Sequence, residues 1–131
     1  MSGAHAQTYY AGGGVALTTE TNGGFPFVHV QSGMIKDRLE FRGVFLSNLG
    51  LDGTFKTFIS ADLLGTFPIL DDAARVYLGL GLGLFPGYAA GLDFVLGSEY
   101  RTGSVGIFAE ANALVSFGLL PQARAGLNVY F

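Results

Sequence analysis

The sequence predicts an all-β fold, a transmembrane up-and-down antiparallel β-barrel of about eight strands with a polar, charged interior. Three observations lead to this fold class. Half of the 131 residues are hydrophobic and only 13% are charged, against about 25% in an ordinary soluble domain. Apolar and polar residues alternate along nearly the whole chain, which is the signature of half-buried strands. Within these segments the charged residues fall on the face opposite the aliphatic residues.

The apolar content does not fit a membrane-spanning helix. One long uncharged stretch, residues 76–92, is interrupted by glycine and proline at Gly79, Gly81, Gly83, Pro86, Gly87 and Gly91. In a helix interior each glycine costs about 1 kcal/mol and a proline about 3 kcal/mol. Because a bilayer core admits only helices and closed barrels, strands are the expected way for this chain to cross it.

The first four strands are predicted at residues 8–18, 27–34, 38–47 and 55–67. The faces expected to point outwards carry Tyr9, Ala11, Val15 and Leu17; Val28, Val30 and Met34; Leu39, Phe41, Gly43 and Phe45; and Thr57, Ile59, Ala61, Leu63 and Phe67. The second strand has the weakest alternation, with Phe27, His29 and Gln31 on its inner face.

The last four strands are predicted at residues 75–85, 89–100, 105–115 and 122–131. The first of them is the clearest, because Leu78, Leu80 and Leu82 alternate with glycine and would spread around the whole circumference of a helix. The outer faces of the other three carry Ala90, Leu92, Phe94, Leu96 and Tyr100; Val105, Ile107, Ala109, Ala111, Ala113 and Val115; and Ala123, Ala125, Leu127, Val129 and Phe131.

Turn-forming residues separate the strands. The predicted connections are residues 19–24, 34–37, 47–54, 68–74, 86–88, 101–104 and 116–121. Their spacing is typical of an up-and-down meander, so residues 8–131 are predicted to form one barrel. Residues 1–7 are expected to be a flexible tail, in which Ala4-His5-Ala6 has the small-x-small form of the end of a signal peptide.

Ten charged residues are predicted to form a network in the lumen. They are Arg38, Glu40, Arg42, Lys56, Asp62, Arg75, Asp93, Glu99, Glu110 and Arg124. Five are positive and five negative, so they could pair and limit the cost of desolvation. On the lipid side a charge would cost about 2–4 kcal/mol at the bilayer midplane. A soluble sandwich with its charges in water remains an alternative, although it would have to bury every aliphatic face in one core.

The last residues resemble a known signal. Leu127, Val129 and Phe131 alternate back from a terminal aromatic residue, a pattern similar to the terminal strand that the barrel-insertion machinery of bacterial outer membranes reads. With the eight segments, the chain resembles the small eight-stranded outer-membrane barrels of the OmpA and OmpX type. The resemblance implies integral residence in the bacterial outer membrane, contact with its lipids, both termini in the periplasm, and longer loops outside. The predicted outer connections are shorter than is usual for that family.

For function, the sequence favours a structural, membrane-stabilising barrel with a lumen filled by side chains; a narrow pore for ions or small solutes is the alternative. Eight strands give a bore that side chains just fill. The bulky residues expected inside are Tyr10, Phe58, Leu64, Tyr77, Phe85, Phe108 and Tyr130.

Catalysis is not expected. The only histidines are His5 and His29, and nothing in the sequence places His29 beside Ser60 and Asp62. Neither Asp71-Asp72 nor the Asn48/Asp52 loop has a recognisable metal-ligand spacing, so we expect no metal and no cofactor. A net charge of −3 gives no indication of a nucleic-acid partner, and we expect a monomer.

Overall fold

Eight strands pair in chain order, and the eighth pairs with the first to close a barrel. The computed structural model describes residues 7–18, 27–48, 57–71, 73–85, 89–116 and 119–131. The strands are β1 (Gln7–Thr18), β2 (Phe27–Lys36), β3 (Leu39–Ser47), β4 (Thr57–Ile69), β5 (Ala74–Phe85), β6 (Ala89–Thr102), β7 (Val105–Val115) and β8 (Leu119–Tyr130). No helix within the described ranges is long and apolar enough to cross a membrane.

The predicted strand phases are confirmed. In β2, the most weakly patterned strand, Phe27, His29 and Gln31 are buried, whereas Val28 and Val30 are exposed. The same alternation runs through β7, where each buried residue is followed by an outward-facing one. Because successive side chains of a strand point to opposite faces, the local pattern alone determines which side chains enter the lumen.

Strand ends differ from the prediction in one place that matters. Lys36 pairs with Leu39 across β2 and β3, so only Asp37 and Arg38 form the turn. Asp37 has a φ of 57°, the left-handed conformation that tight hairpin turns require and that Asp adopts more readily than most residues. Arg38 is exposed in this turn, and its predicted place in the lumen is therefore wrong.

The two ends of the barrel are built differently. The turns at residues 37–38 and 103–104 lie at one end, here the turn end, where β1 begins and β8 finishes. The connections after β1, β3, β5 and β7 leave from the opposite end, here the loop end. Residues 1–6 of the predicted tail, Lys56, Asp52, Asp72 and most residues of the predicted outer loops lie outside the described residues. Gln7, predicted as the last residue of the tail, is the first residue of β1.

An apolar belt covers the outside of the sheet. Large side chains such as Val30, Leu80, Leu96 and Leu127 are about half exposed along all eight strands. Across the described strands, the one charged side chain with an outward phase is Lys36, the last residue of β2. Exposed aromatic rings collect near the turn end at Tyr9, Phe41, Phe67, Tyr100 and Phe131. The molecule is therefore apolar outside, the reverse of a soluble sandwich.

Candidate functional site

The barrel interior holds most of the charges that the sequence assigned to it. Eight of the predicted residues face inwards and are buried or nearly so: Glu40, Arg42, Asp62, Arg75, Asp93, Glu99, Glu110 and Arg124. Within the described residues these are three arginines and five carboxylates. The predicted balance of five and five is not found there, because Arg38 lies outside the lumen and Lys56 outside the described residues.

Arg42 is the centre of the largest cluster. Its guanidinium donates to both oxygens of Glu110, at 2.6 and 3.0 Å, and donates twice to Asp62 Oδ2, at 2.9 and 3.1 Å. Glu110 also accepts from Arg124 Nη1 at 3.2 Å and from the Tyr77 hydroxyl at 2.8 Å. Planar two-pronged pairing of this kind is the strongest geometry available to arginine and carboxylate. Five strands, β3, β4, β5, β7 and β8, are tied together across the lumen at this point.

A second cluster lies towards the turn end around Arg75. Its guanidinium donates to Glu40 at 2.5 Å and to Glu99 at 2.7 Å. The hydroxyls of Tyr10 and Tyr130 donate to Glu40 and Glu99, respectively. Both carboxylates are thus held by a cation and a phenol, which offsets the cost of burying them.

Two uncharged residues join the clusters. Gln31 Nε2 donates to Asn128 Oδ1 at 2.8 Å, and Asn128 Nδ2 donates to Glu99 at 2.8 Å. Gln31 also accepts a long contact of 3.5 Å from Arg42. Sequence reasoning missed both as connecting residues. The available signal was their inward phase. A side-chain amide can both donate and accept a hydrogen bond, so it can connect the Arg42 guanidinium to the Glu99 carboxylate.

Apolar side chains cluster in the lumen towards the loop end. This plug consists of Ala16, Phe27, Val44, Leu46, Phe58 and Leu114, each with 3% exposure or less. The guanidinium carbon of Arg124 lies 5.6 Å from the centre of the Phe58 ring, so charge and plug are in direct contact. The lumen thus changes from ionic to apolar within the height of the barrel.

The turn end is more open. A cavity of about 240 Å³ lies there, lined in part by Thr66, Arg75, Glu99, Arg101 and Tyr130. The Arg101 guanidinium stacks 3.9 Å from the centre of the Tyr130 ring, and the Arg75 side chain keeps 14% exposure. We call this cavity the vestibule. It gives the second cluster contact with the outside of the barrel.

Packing inside the lumen depends on glycines that make room for large neighbours. A Cβ on Gly97 would lie 2.5 Å from Tyr77 Cζ and 2.7 Å from Glu110 Cβ, whereas a Cβ on Gly43 would meet nothing within 4 Å. We expect Gly97→Ala to destabilise the barrel by about 1–3 kcal/mol through overpacking. Gly43→Ala, on the outer face, should be neutral or slightly stabilising. Urea unfolding of both variants in one detergent measures the difference, and equal effects would contradict this account of the lumen.

The arrangement gives no support to catalysis. Ser60 Oγ lies 3.4 Å from Asp62 Oδ2, but neither nitrogen of His29 has a hydrogen bond to the described residues. The His29 ring instead packs edge-on against Phe108, with centroids 5.6 Å apart. These residues therefore do not form the hydrogen-bonded series of nucleophile, base and orienting acid that such catalysis needs. The described residues also contain no group of three His, Cys, Asp or Glu side chains that could hold a metal.

Leu127, Val129 and Phe131, predicted as an insertion signal, all lie on the exposed face of the terminal strand or just after it. Phe131 is 77% exposed. Their backbone is nevertheless ordered by pairing with β1, because the Phe131 amide donates to the Tyr9 carbonyl at 2.9 Å. In the closed barrel their side chains are thus on the surface and not in the lumen.

Known proteins share this architecture. The N-terminal β-barrel domain of Pseudomonas aeruginosa OprF superposes with a TM-score of 0.75 and 14% identity, over 95% of this chain and 97% of that one. Neisserial surface protein A superposes with a TM-score of 0.60 and 20% identity, over 95% of this chain and 97% of that one. Ail, the attachment invasion locus protein of Yersinia pestis, superposes with a TM-score of 0.65 and 12% identity, over 97% of this chain and 99% of that one. No protein-family model matches the sequence, and neither does any curated protein.

All three neighbours are eight-stranded outer-membrane barrels. The predicted resemblance to that group is thus confirmed for the fold, which extends over nearly the whole of each chain. At these identities the likeness concerns architecture, and the chemistry of the lumen has to be argued from the residues of this chain.

Proposed function

We propose that this chain is an integral outer-membrane barrel with a structural role, spanning and stabilising the membrane with a lumen that side chains fill. One observation carries the proposal: the outer face of the described strands is an apolar belt, while the ionised groups are enclosed. A bilayer core rewards that distribution and water opposes it. The partner of the belt is then outer-membrane lipid.

Two features support a filled lumen: the narrow bore of an eight-stranded barrel and the side chains that lie inside it. Eight strands enclose a space that side chains just fill. Here the Arg42 cluster crosses the lumen at mid-height, and the plug lies above it towards the loop end. Moving Arg42 aside would leave Asp62 and Glu110 without their cation in a medium of low dielectric constant, which is costly. Opening a path for solutes would therefore oppose the strongest contacts of the molecule.

The orientation and assembly that we propose agree with this role. β1 begins and β8 finishes at the turn end, which also carries the tight turns, and we assign this end to the periplasm. The exposed side chains of Leu127, Val129 and Phe131 would be read by the barrel-insertion machinery before the strand is paired. The belt continues around all strands without a charged patch among the described residues. Lipid can therefore cover the whole belt of a monomer.

Planar-bilayer recording tests the structural role directly. We expect the purified, refolded chain to insert without steady single-channel currents, because the plug and the Arg42 cluster block the lumen in series. Leu80→Ala, on the lipid-facing side, is the matched control and should behave identically. Reproducible unitary currents from the unaltered chain would contradict the proposal.

The second candidate, a narrow pore, is favoured by the vestibule and by the polar network that continues from it to Arg42. If currents are seen, Glu110→Gln distinguishes conduction through the lumen from leakage at the barrel–lipid boundary. A lumenal pore should change its conductance or selectivity with this substitution, since Glu110 lies at the narrow, fully buried level.

A further inference from the structure

Two buried carboxylates flank a glycine of the lumen wall. Gly81 of β5 pairs with Asp62 of β4 on one side and with Asp93 of β6 on the other. All three residues face inwards, and a Cβ on Gly81 would collide with Asp62 Oδ1. The missing side chain therefore leaves room for the Asp62 carboxylate, and the register places Asp93 on the other side of the same glycine.

Three oxygens of these two carboxylates have no hydrogen bond to the described residues. Asp93 is fully buried, and neither of its carboxylate oxygens has a hydrogen bond there. Asp62 Oδ1 has none, although its Oδ2 accepts from Arg42. Arg124 Nη2 is 3.7 Å from Asp93 Oδ2, which is beyond hydrogen-bond distance. Buried polar groups normally have partners, so three such oxygens call for an explanation.

An uncharged side chain points independently to a ligand. Asn112 of β7 has 4% exposure, and neither atom of its side-chain amide has a hydrogen bond within the described residues. It pairs with Val95 of β6, two positions from Asp93 on the same inner face. Diagonal neighbours of this kind are within reach of each other across a strand pair. A buried amide without hydrogen bonds, diagonal to a carboxylate with none, supplies the kind of oxygen ligands that a coordination site uses.

We propose that Asp62, Asp93 and Asn112 bind a hard cation of the sodium or calcium class inside the barrel. Carboxylate and amide oxygens are the ligands that such ions prefer, and calcium in particular tolerates irregular geometry. The charge balance of the described lumen favours a bound cation over a bound water molecule. The described lumen holds three arginines and five carboxylates, and the arginines that pair with Asp62 and Asp93, Arg42 and Arg124, are each shared with Glu110. A bound cation offsets the excess negative charge.

Cation-linked unfolding tests the site. The chain is refolded in a neutral detergent, depleted of metal, and unfolded in urea while NaCl or CaCl₂ replaces choline chloride at constant ionic strength and pH. A ligand that binds only the folded state raises stability with the logarithm of its concentration once the site fills. We expect the urea midpoint of the unaltered chain to rise in this way for at least one of the two ions.

Two substitutions assign the effect to residues. Asp93→Asn should abolish the dependence on the cation, and Asn112→Ala should shift it to at least tenfold higher concentration. If the Asn112 amide had only a structural role, its removal would not change the cation concentration at which the urea midpoint rises. Glu99→Gln is the matched control, because it also neutralises a buried carboxylate but one whose oxygens are bonded by Arg75, Tyr130 and Asn128. It should keep the full dependence.

Three results would overturn the proposal. One is a midpoint of the unaltered chain that is independent of every ion tested. Another is a dependence that survives Asp93→Asn, which would assign the ion to another place. The third is stabilisation by acid alone, without any cation effect, which would show that a proton neutralises the pair instead. Direct equilibrium dialysis of radioactive calcium and sodium against the unaltered barrel gives the same decision if Asp93→Asn fails to fold.

Discussion

Replacing Arg42 by alanine is expected to destabilise the barrel by about 3–5 kcal/mol, the usual cost of removing one partner of a buried ion pair. The Arg42 side chain has 1% exposure, and its removal leaves Asp62 and Glu110 without their shared cation. Arg124 and Tyr77 still hold Glu110, whereas Asp62 keeps only the long Ser60 contact. Equilibrium unfolding in urea, followed by the heat-modifiable shift in gel migration, measures the change.

Arg38→Ala is the matched control for that experiment. Arg38 and Arg42 lie on the same hairpin and share a phase in the sequence, but Arg38 is exposed in the turn. Surface substitutions of this type change stability by about 0.5 kcal/mol or less. Equal losses for the two arginines would mean that Arg42 is not the ionic centre of the lumen.

Placing an arginine in the middle of the outer belt should be nearly as harmful. Leu80 is central in β5, is 49% exposed, and has apolar partners in Leu63 and Phe94. In a bilayer, Leu80→Arg is expected to cost about 2–4 kcal/mol, because the guanidinium would lie in hydrocarbon near the midplane. Folding into vesicles of phospholipid, measured as a function of urea, gives the free energy directly.

Leu70→Arg separates the membrane from other causes. Leu70 is 69% exposed in the turn after β4, outside the belt, and we expect a change of about 0.5 kcal/mol or less there. If the outer surface faced water, both substitutions would be harmless and would improve solubility. A neutral Leu80→Arg would therefore exclude the belt from the hydrocarbon.

The strands and their phases could be predicted because a period of two is a local property of the chain. His29 and Gln31 were assigned to the lumen from their neighbours alone, and both are buried. The failure at Arg38 has a related cause. Alternation continues across Arg38, Glu40 and Arg42, and it carries no information on where a strand ends. The left-handed Asp37 ends β2 and moves Arg38 out of the sheet.

The pairing inside the lumen could not be predicted in the same way. Arg42 bonds Asp62 from the adjacent strand but Glu110 from β7, far along the sheet. Which side chains meet across the bore depends on the stagger of all eight strands at closure, and no single segment encodes that quantity. For the same reason the connecting roles of Gln31 and Asn128 could not be predicted, nor could the position of Asp62 and Asp93 on either side of Gly81.

The seam between the first and last strands limits when this molecule can be made. Tyr9 and Phe131 exchange backbone hydrogen bonds there, and β8 pairs with β1 along its length, so the ladder is incomplete until β8 has left the ribosome. A nascent chain that lacks β8 has two open edges, and hydrocarbon provides no partner for them. Biosynthesis must therefore deliver all eight strands, kept from aggregating, before insertion can be completed, and a ribosome that stalls before β8 yields a product without a closed ring.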